Sequence, residues 1–261
     1  MTDVIDRLDV ERILADPASR VPEADAAAER PADRFRARVS RFANGPVHAT
    51  RRRRLEGLLA TLDEAALARA AATRTGALVS AGAEAHAVAA QVPVACLAAQ
   101  LGFADPDAAP ALVGVLAGHY QAGGSSDAAD AALVRLLTGA PPPGRGEHRD
   151  DGVLRVQLLV QAYAATASLI TAALRHPDAG DADVPTAELL GRVLREAPPV
   201  RTTRRIGPDG DDLVLHLGGP DRDASLAAPP MLAFGAGPRA CPAPGPALAI
   251  AIAVVDGLRA C

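Results

Sequence analysis

Near the C-terminal end runs Phe234-Gly235-Ala236-Gly237-Pro238-Arg239-Ala240-Cys241, the stretch whose residue types could most readily do chemistry. Two glycines and a proline suit neither a helix nor a regular strand, so the spacing predicts a tight irregular loop. A helix follows, which places Cys241 close to a helix N-terminus. There the positive end of the helix dipole favours the thiolate, the form that binds a metal such as iron. Arg239, two residues earlier, could pair with an anionic ligand group. From this stretch alone, a glycine loop followed by a buried, inert cysteine is the competing reading.

Other chemistry-bearing residues are scattered. His48 and Arg52 stand four apart in an amphipathic stretch, a spacing that puts both on one face of a helix. Gln161, Tyr163 and Thr166 are the polar residues in the middle of a long apolar stretch, where Tyr163 also reads as ordinary packing. The cysteines are Cys96, Cys241 and Cys261. They are odd in number, widely spaced and without zinc-type spacing, so neither a disulfide framework nor a structural metal site is indicated.

The composition limits what can hold these residues. Of the 261 residues 49% are hydrophobic, yet only 2% are aromatic and Trp is absent, so Ala, Leu and Val must fill the core. Small side chains bury little area each, and such a core would gain from a large apolar ligand. A net charge of −4 gives no general reason to expect nucleic acid. The cations are all Arg. The run Arg51-Arg52-Arg53-Arg54 is short and reads as a solvated helix face. The charged N-terminus, MTDVIDRLDVER, has no apolar signal-peptide core, and no uninterrupted apolar run is long enough to span a membrane. A cytoplasmic protein is the expectation.

Periodicity predicts a mainly α chain. A short amphipathic helix is stopped by Pro17, and residues 20–45 read as loop with some helix. Helices follow from Val47, over 64–80, and over 88–102 with a kink at Pro93. One or two more cover 107–138, broken by GGSSD, where Asp127 is the expected N-cap. Residues 138–152 are the clearest loop. The helix over 153–174 is apolar on almost every face and should be buried on all sides. TAELLGRVLREAPPV ends at Pro198-Pro199, DDLVLHLG after it reads as a strand, and a last helix covers about 246–259.

The loop resembles the heme-binding segment of the cytochrome P450 family, Phe-x-x-Gly-x-Arg-x-Cys-x-Gly. Phe234, Gly237, Arg239 and Cys241 match it, and Ala243 replaces the last glycine. Other segments resemble the family in order. DVERILADPASR is similar to its B helix. PVHATRRR is similar to the start of its C helix, where His48 and Arg52 would face a heme propionate. VAAQVPVACLAAQLGFADPD resembles the E helix, and 153–174 resembles the I helix over the distal face of the heme, with Leu174-Arg175-His176-Pro177 after it. LLGRVLREAPPVRTTRRI resembles the K helix and its strand, with Arg205 or Arg204 at the propionate position. GGPDRDA is a weak echo of the family's Asn-Arg-Asp segment.

The resemblance implies a single domain over 1–261: mainly α, a truncated cytochrome P450 fold with a minimal β region. It implies heme b (iron protoporphyrin IX), with Cys241 as metal ligand and His48, Arg52, Arg205, Phe234, Gly235, Arg239 and Cys241 binding the cofactor. Gln161, Tyr163 and Thr166 would be the catalytic-site residues. The chain is short for the family: it should lack the first helix and N-terminal strands, and only 36 positions separate Arg205 from Cys241. A reduced lid and an open distal pocket are expected. Ala164-Ala165 stand where the family has an acid and a Thr that relay protons. Arg192 and Arg195 stand where it has a Glu-x-x-Arg pair, leaving Glu188 as a candidate partner of Arg192. Prolines 242, 244 and 246 remove N–H donors near the sulfur, though Ala243 and Gly245 can still donate; fewer donors should lower the iron's reduction potential.

These features imply a heme-thiolate enzyme acting oxidatively (monooxygenase-type or peroxide-driven) or redox-neutrally on a small organic substrate, in specialised metabolism. A redox partner is needed only for some of these chemistries. A homodimer covering part of the pocket is a further expectation; nucleic acid and membrane are not expected partners. The alternative is a non-catalytic P450-like helper that binds and activates a partner enzyme.

Overall fold

The computed structural model describes residues 1–144, 146, 148, 150–218 and 232–260. The GGPDRDA segment beyond Gly218, and Cys261, lie outside them.

Side-chain caps set where several helices begin. Asp6 accepts the Asp9 N–H at 3.0 Å and opens α1 (Arg7–Ala15), and Asp63 accepts the Ala66 N–H at 3.0 Å and opens α4 (Glu64–Ser80). Between them lie α2 (Pro31–Arg38) and α3 (Gly45–Leu59). The α2 helix emerges from the stretch read as loop with some helix. Helix α5 (Ala85–Gln100) runs through Pro93. The GGSSD break separates α6 (Ala109–Ala122) from α7 (Asp127–Gly139). The cap of α7 is Ser126, whose Oγ accepts the Ala129 N–H at 3.2 Å, rather than Asp127; the helix starts one residue earlier than an Asp127 cap implies. Then come α8 (Asp151–Arg175), α9 (Thr186–Glu196) and α10 (Pro244–Arg259).

The core is built around α8, which packs against α3, α5, α6, α9 and α10. It is long and apolar enough to cross a membrane by length and composition, but most of it is buried inside the protein. Val153 to Val160 are buried on almost every side, as expected of an apolar helix. Further along the burial is one-sided, because Ala164 and Ser168 are exposed. Small residues let α10 lie close on α4: a Cβ at Gly257 would stand 2.8 Å from Thr75 Cγ2.

The β region is minimal but larger than one strand. Strand β1 (Thr2–Val4) pairs in parallel with β3 (Asp212–His216), and β2 (Thr202–Ile206) pairs antiparallel with β3, in the order β1-β3-β2. The expected absence of an N-terminal strand is therefore corrected. Short, polar β1 and β2 carry no period-2 signal and take their form from pairing with β3. Val10 and Leu14 of α1 pack on Leu215, Leu217 and Leu232 to form a second, smaller core.

The segment from Arg30 to Asn44 crosses the helical layer. Arg30 binds Asp127 and Asp130, Arg38 binds Asp150, and Ser40 binds Gln157 of α8. It is tied to the first half of α8 through Asp150 and Gln157. The later half opens on a cavity of about 560 Å³, lined by residues of α8 and α9, including Ser168, Ala172, Arg175 and Glu196.

Candidate functional site

The cysteine loop is built by its own backbone. Leu232–Phe234 make a short helical turn, and the Gly235 N–H donates to the Leu232 carbonyl at 2.7 Å. Gly235 and Gly237 take φ of +69° and +65°, the left-handed region that favours glycine. The Cys241 N–H then donates back to the Phe234 carbonyl at 2.7 Å and closes the loop. The Phe234 side chain packs on the main core. Gly237 is pressed on the end of α1: a Cβ there would stand 2.6 Å from the Leu14 carbonyl oxygen and 2.7 Å from Ala15 Cα. So α1 forms the shelf on which the loop rests, and the site needs it.

Cys241 is half-buried and unbridged. Burial pushes its thiol up, opposed by a hydrogen bond from the Ala243 backbone and by the charge of Arg52. The sequence reading expected a lowered thiol; desolvation outweighs the helix end here. Such a sulfur stays protonated until a cation replaces the proton.

Four basic residues converge beside this loop. Arg52 of α3 donates to the Ala240 carbonyl at 2.6 Å and to Glu56 at 2.6 Å. Arg239 donates to the Ala43 carbonyl at 2.7 Å and to Asn44 Oδ1 at 2.8 Å. Arg205 of β2 is only 6% exposed, and its bonds go to Thr203 Oγ1 and to the Arg204 carbonyl. Burial, then the charges of Arg239 and Arg41, lower its pKa to about 10. His48, one turn before Arg52, is lowered to about 4 by burial and by Arg239, Arg52 and Arg205, with Glu56 opposing. Between the two candidates the structure separates clearly: Arg204 is exposed and reaches Asp212 at 3.5 Å.

The sequence reading missed Asn44, Ser40 and Gln157. Asn44 ties the loop before α3 to residue 21, accepting from the Val21 N–H and donating to its carbonyl, and it also receives Arg239. It precedes Gly45-Pro46, a turn signal that could have marked it. Ser40 and Gln157 carry no such signal. The arginine run is corrected as well. Arg51 donates to the Ala37 and Val39 carbonyls, Arg52 to Ala240, and Arg54 to buried Asp151, so only Arg53 fits a solvated face.

On α8 the three residues singled out point in different directions. Gln161 is half-buried on the same stripe as Ala165, Ser168 and Ala172. The Tyr163 hydroxyl lies against Gly114 of α6, where a Cβ would come within 2.9 Å of it. Thr166 is buried in the core, 4% exposed, on the side of α8 away from Ala164 and Ser168. Neither Tyr163 nor Thr166 shares the open stripe. No residue of the cysteine loop and none of the four basic residues lines the cavity. On α9, Arg192 pairs with Glu188 at 2.6 Å and with Asp178, while Arg195 is exposed.

Neither a family model nor a curated relative matches the sequence. Solved structures do. P450BioI in complex with hexadec-9Z-enoic acid ligated acyl carrier protein superposes with a TM-score of 0.77 at 17% identity, covering 98% of this chain and 84% of that one. CalO2 gives 0.76 at 19% identity, over 98% and 82%. The open form of P450 EryK from S. erythraea gives 0.69 at 18% identity, over 99% and 82%. The chain has the cytochrome P450 fold.

In a P450 fold the implied cofactor is heme, and the residues present fit one. Buried Arg205 has no carboxylate partner among the described residues, and it is repelled by Arg239 and Arg41. A buried cation without a counter-ion is costly. An anionic group bound among Arg52, Arg205 and Arg239 would remove that cost, and Cys241 beside them supplies a soft ligand for its metal.

Proposed function

We propose that this chain is a heme-thiolate protein acting on a small organic substrate. Cys241 would hold the iron, and His48, Arg52, Arg205 and Arg239 would hold the carboxylates of heme b. Bound heme supplies oxidative chemistry at iron or, as a Lewis acid, redox-neutral rearrangement. The convergence of basic residues on the cysteine loop, with Arg205 left unneutralised, carries this reading.

The chain's own residues narrow the chemistry. Ala164 and Ala165 offer no proton, and Thr166 lies in the core, so the open stripe of α8 has no acid at that level. This favours peroxide-driven or redox-neutral chemistry over chemistry that needs a proton relay supplied by the protein. Gln161 and Ser168 remain to bind and orient substrate along the stripe.

Heme titration of the wild type and of Arg205→Met tests this reading. Loss of one charge-assisted contact should weaken heme binding about tenfold to a hundredfold. The heme-free variant should be as stable as the wild type or more stable, because a buried, unneutralised cation has been removed. Equal heme affinity, or a folded wild type that takes up no heme, contradicts the proposal; the latter result favours a non-catalytic helper.

A further inference from the structure

Gln157 of α8 is 1% exposed, and all its polar atoms are engaged. Its Oε1 accepts the backbone N–H of Ser40 at 3.0 Å. A backbone N–H can only donate, so this contact fixes which end of the Gln157 amide is oxygen. Its Nε2 then donates to Ser40 Oγ at 2.7 Å and to Oε1 of Gln161 at 3.0 Å. Both Gln157 protons are used, and the Gln161 atom that meets the second must be its oxygen. The free end of the chain is therefore the Gln161 Nε2 group, whose N–H donors have no partner among the described residues. Gln161 is half-buried and shares its stripe with Ala165, Ser168 and Ala172; the last two wall the cavity, and Gln161 lies on the stripe beyond its lining residues, toward the start of α8.

We infer that Gln161 is a fixed hydrogen-bond donor for an acceptor oxygen of the substrate, a carbonyl group, with Ser40 and Gln157 as positioning residues. This rests on the reading of the open α8 stripe as the substrate face. The polarity of the chain decides the substrate class. A free amide oxygen would choose hydroxyl or amine donors, whereas the free amide N–H chooses acceptors. An amide also keeps its protons, so Gln161 polarises and orients a carbonyl without protonating it. Anchoring of Gln161 by buried Gln157, itself held by Ser40, means that little side-chain freedom is lost on binding.

The chain has only five glutamines and one asparagine, so its side-chain amide NMR signals are few and separable. The probes are cyclohexanone and methylenecyclohexane, which share a shape but differ in the acceptor oxygen. They are titrated into the full chain, first as purified and then with heme supplied. Cyclohexanone should shift the Gln161 amide pair in a saturable way and bind about fivefold tighter than the alkene, as one neutral hydrogen bond allows. That preference should vanish in Gln161→Leu and in Gln161→Glu, which turns an oxygen outward. It should also fall in Gln157→Leu, which releases the Gln161 amide; if that variant does not fold, the two Gln161 variants decide the matter. A Gln161 signal unmoved by cyclohexanone, or a preference that survives both Gln161 substitutions, overturns the inference. Because the first titration needs no added heme, a chain that binds none fails the heme proposal without deciding this one.

Discussion

At Gly237 two constraints meet. Its φ of +65° disfavours any side chain, and a Cβ would collide with the backbone of α1 at Leu14 and Ala15. Gly237→Ala should therefore cost at least about 2 kcal/mol, more than left-handed strain alone at its lower end. Denaturant unfolding measures this, and a cost below that level would mean the loop does not rest on α1. His48 gives a pH signature. Its pKa of about 4 lies below the ordinary imidazole value, so between those values the unfolded chain holds the extra proton. Stability from this residue is full above the unfolded pKa and is lost as pH falls through about 4. NMR titration of the His48 ring should find that low value, and an anion bound among the arginines should raise it. The cysteine loop was legible because glycine, proline and a lone thiol at fixed spacing restrict the backbone. Ser40 and Gln157 were not, because their roles depend on a contact 117 residues apart in sequence.

Helices were readable wherever capping and apolar period agreed, as at α4, whose boundaries of Glu64 and Ser80 coincide with the expected 64–80. Strand β1 was not, since a sheet this small is specified by pairing rather than by pattern, and β2 was reached only through the resemblance of RTTRRI to the family's strand after the K helix. Helix α3 shows the same limit. Four consecutive arginines look alike in sequence, yet the fold assigns them different work. Asp151, at the start of α8, is buried and receives both Nε and Nη2 of Arg54 at 2.8 and 2.5 Å. Arg54→Ala should cost about 2 kcal/mol, less than the roughly 3–5 kcal/mol of a fully buried pair, because Arg54 keeps some solvent contact. Exposed Arg53→Ala should change stability by less than about 0.5 kcal/mol. Equal effects of the two in thermal or chemical unfolding would contradict the assignment of Arg54 as the tie between α3 and α8.

Over the whole molecule, the P450 fold is retained in a chain whose core is made mainly of aliphatic side chains and whose β region, among the described residues, is three short strands. A ligand that binds only the folded state stabilises it by mass action, about 2.7 kcal/mol at a hundredfold excess over its Kd. The melting temperature should accordingly rise with added heme. The proposed heme-thiolate chemistry would rest on one bond, from the Cys241 sulfur to iron. The most direct measurement is the absorption spectrum of the reduced, CO-bound protein, recorded for the wild type and for Cys241→Ala after heme is supplied. The wild type should show the red-shifted Soret band of a thiolate-ligated iron, and the variant should lose it. An identical band in both proteins, or a wild type whose band stays at the position of a nitrogen-ligated heme, would contradict it.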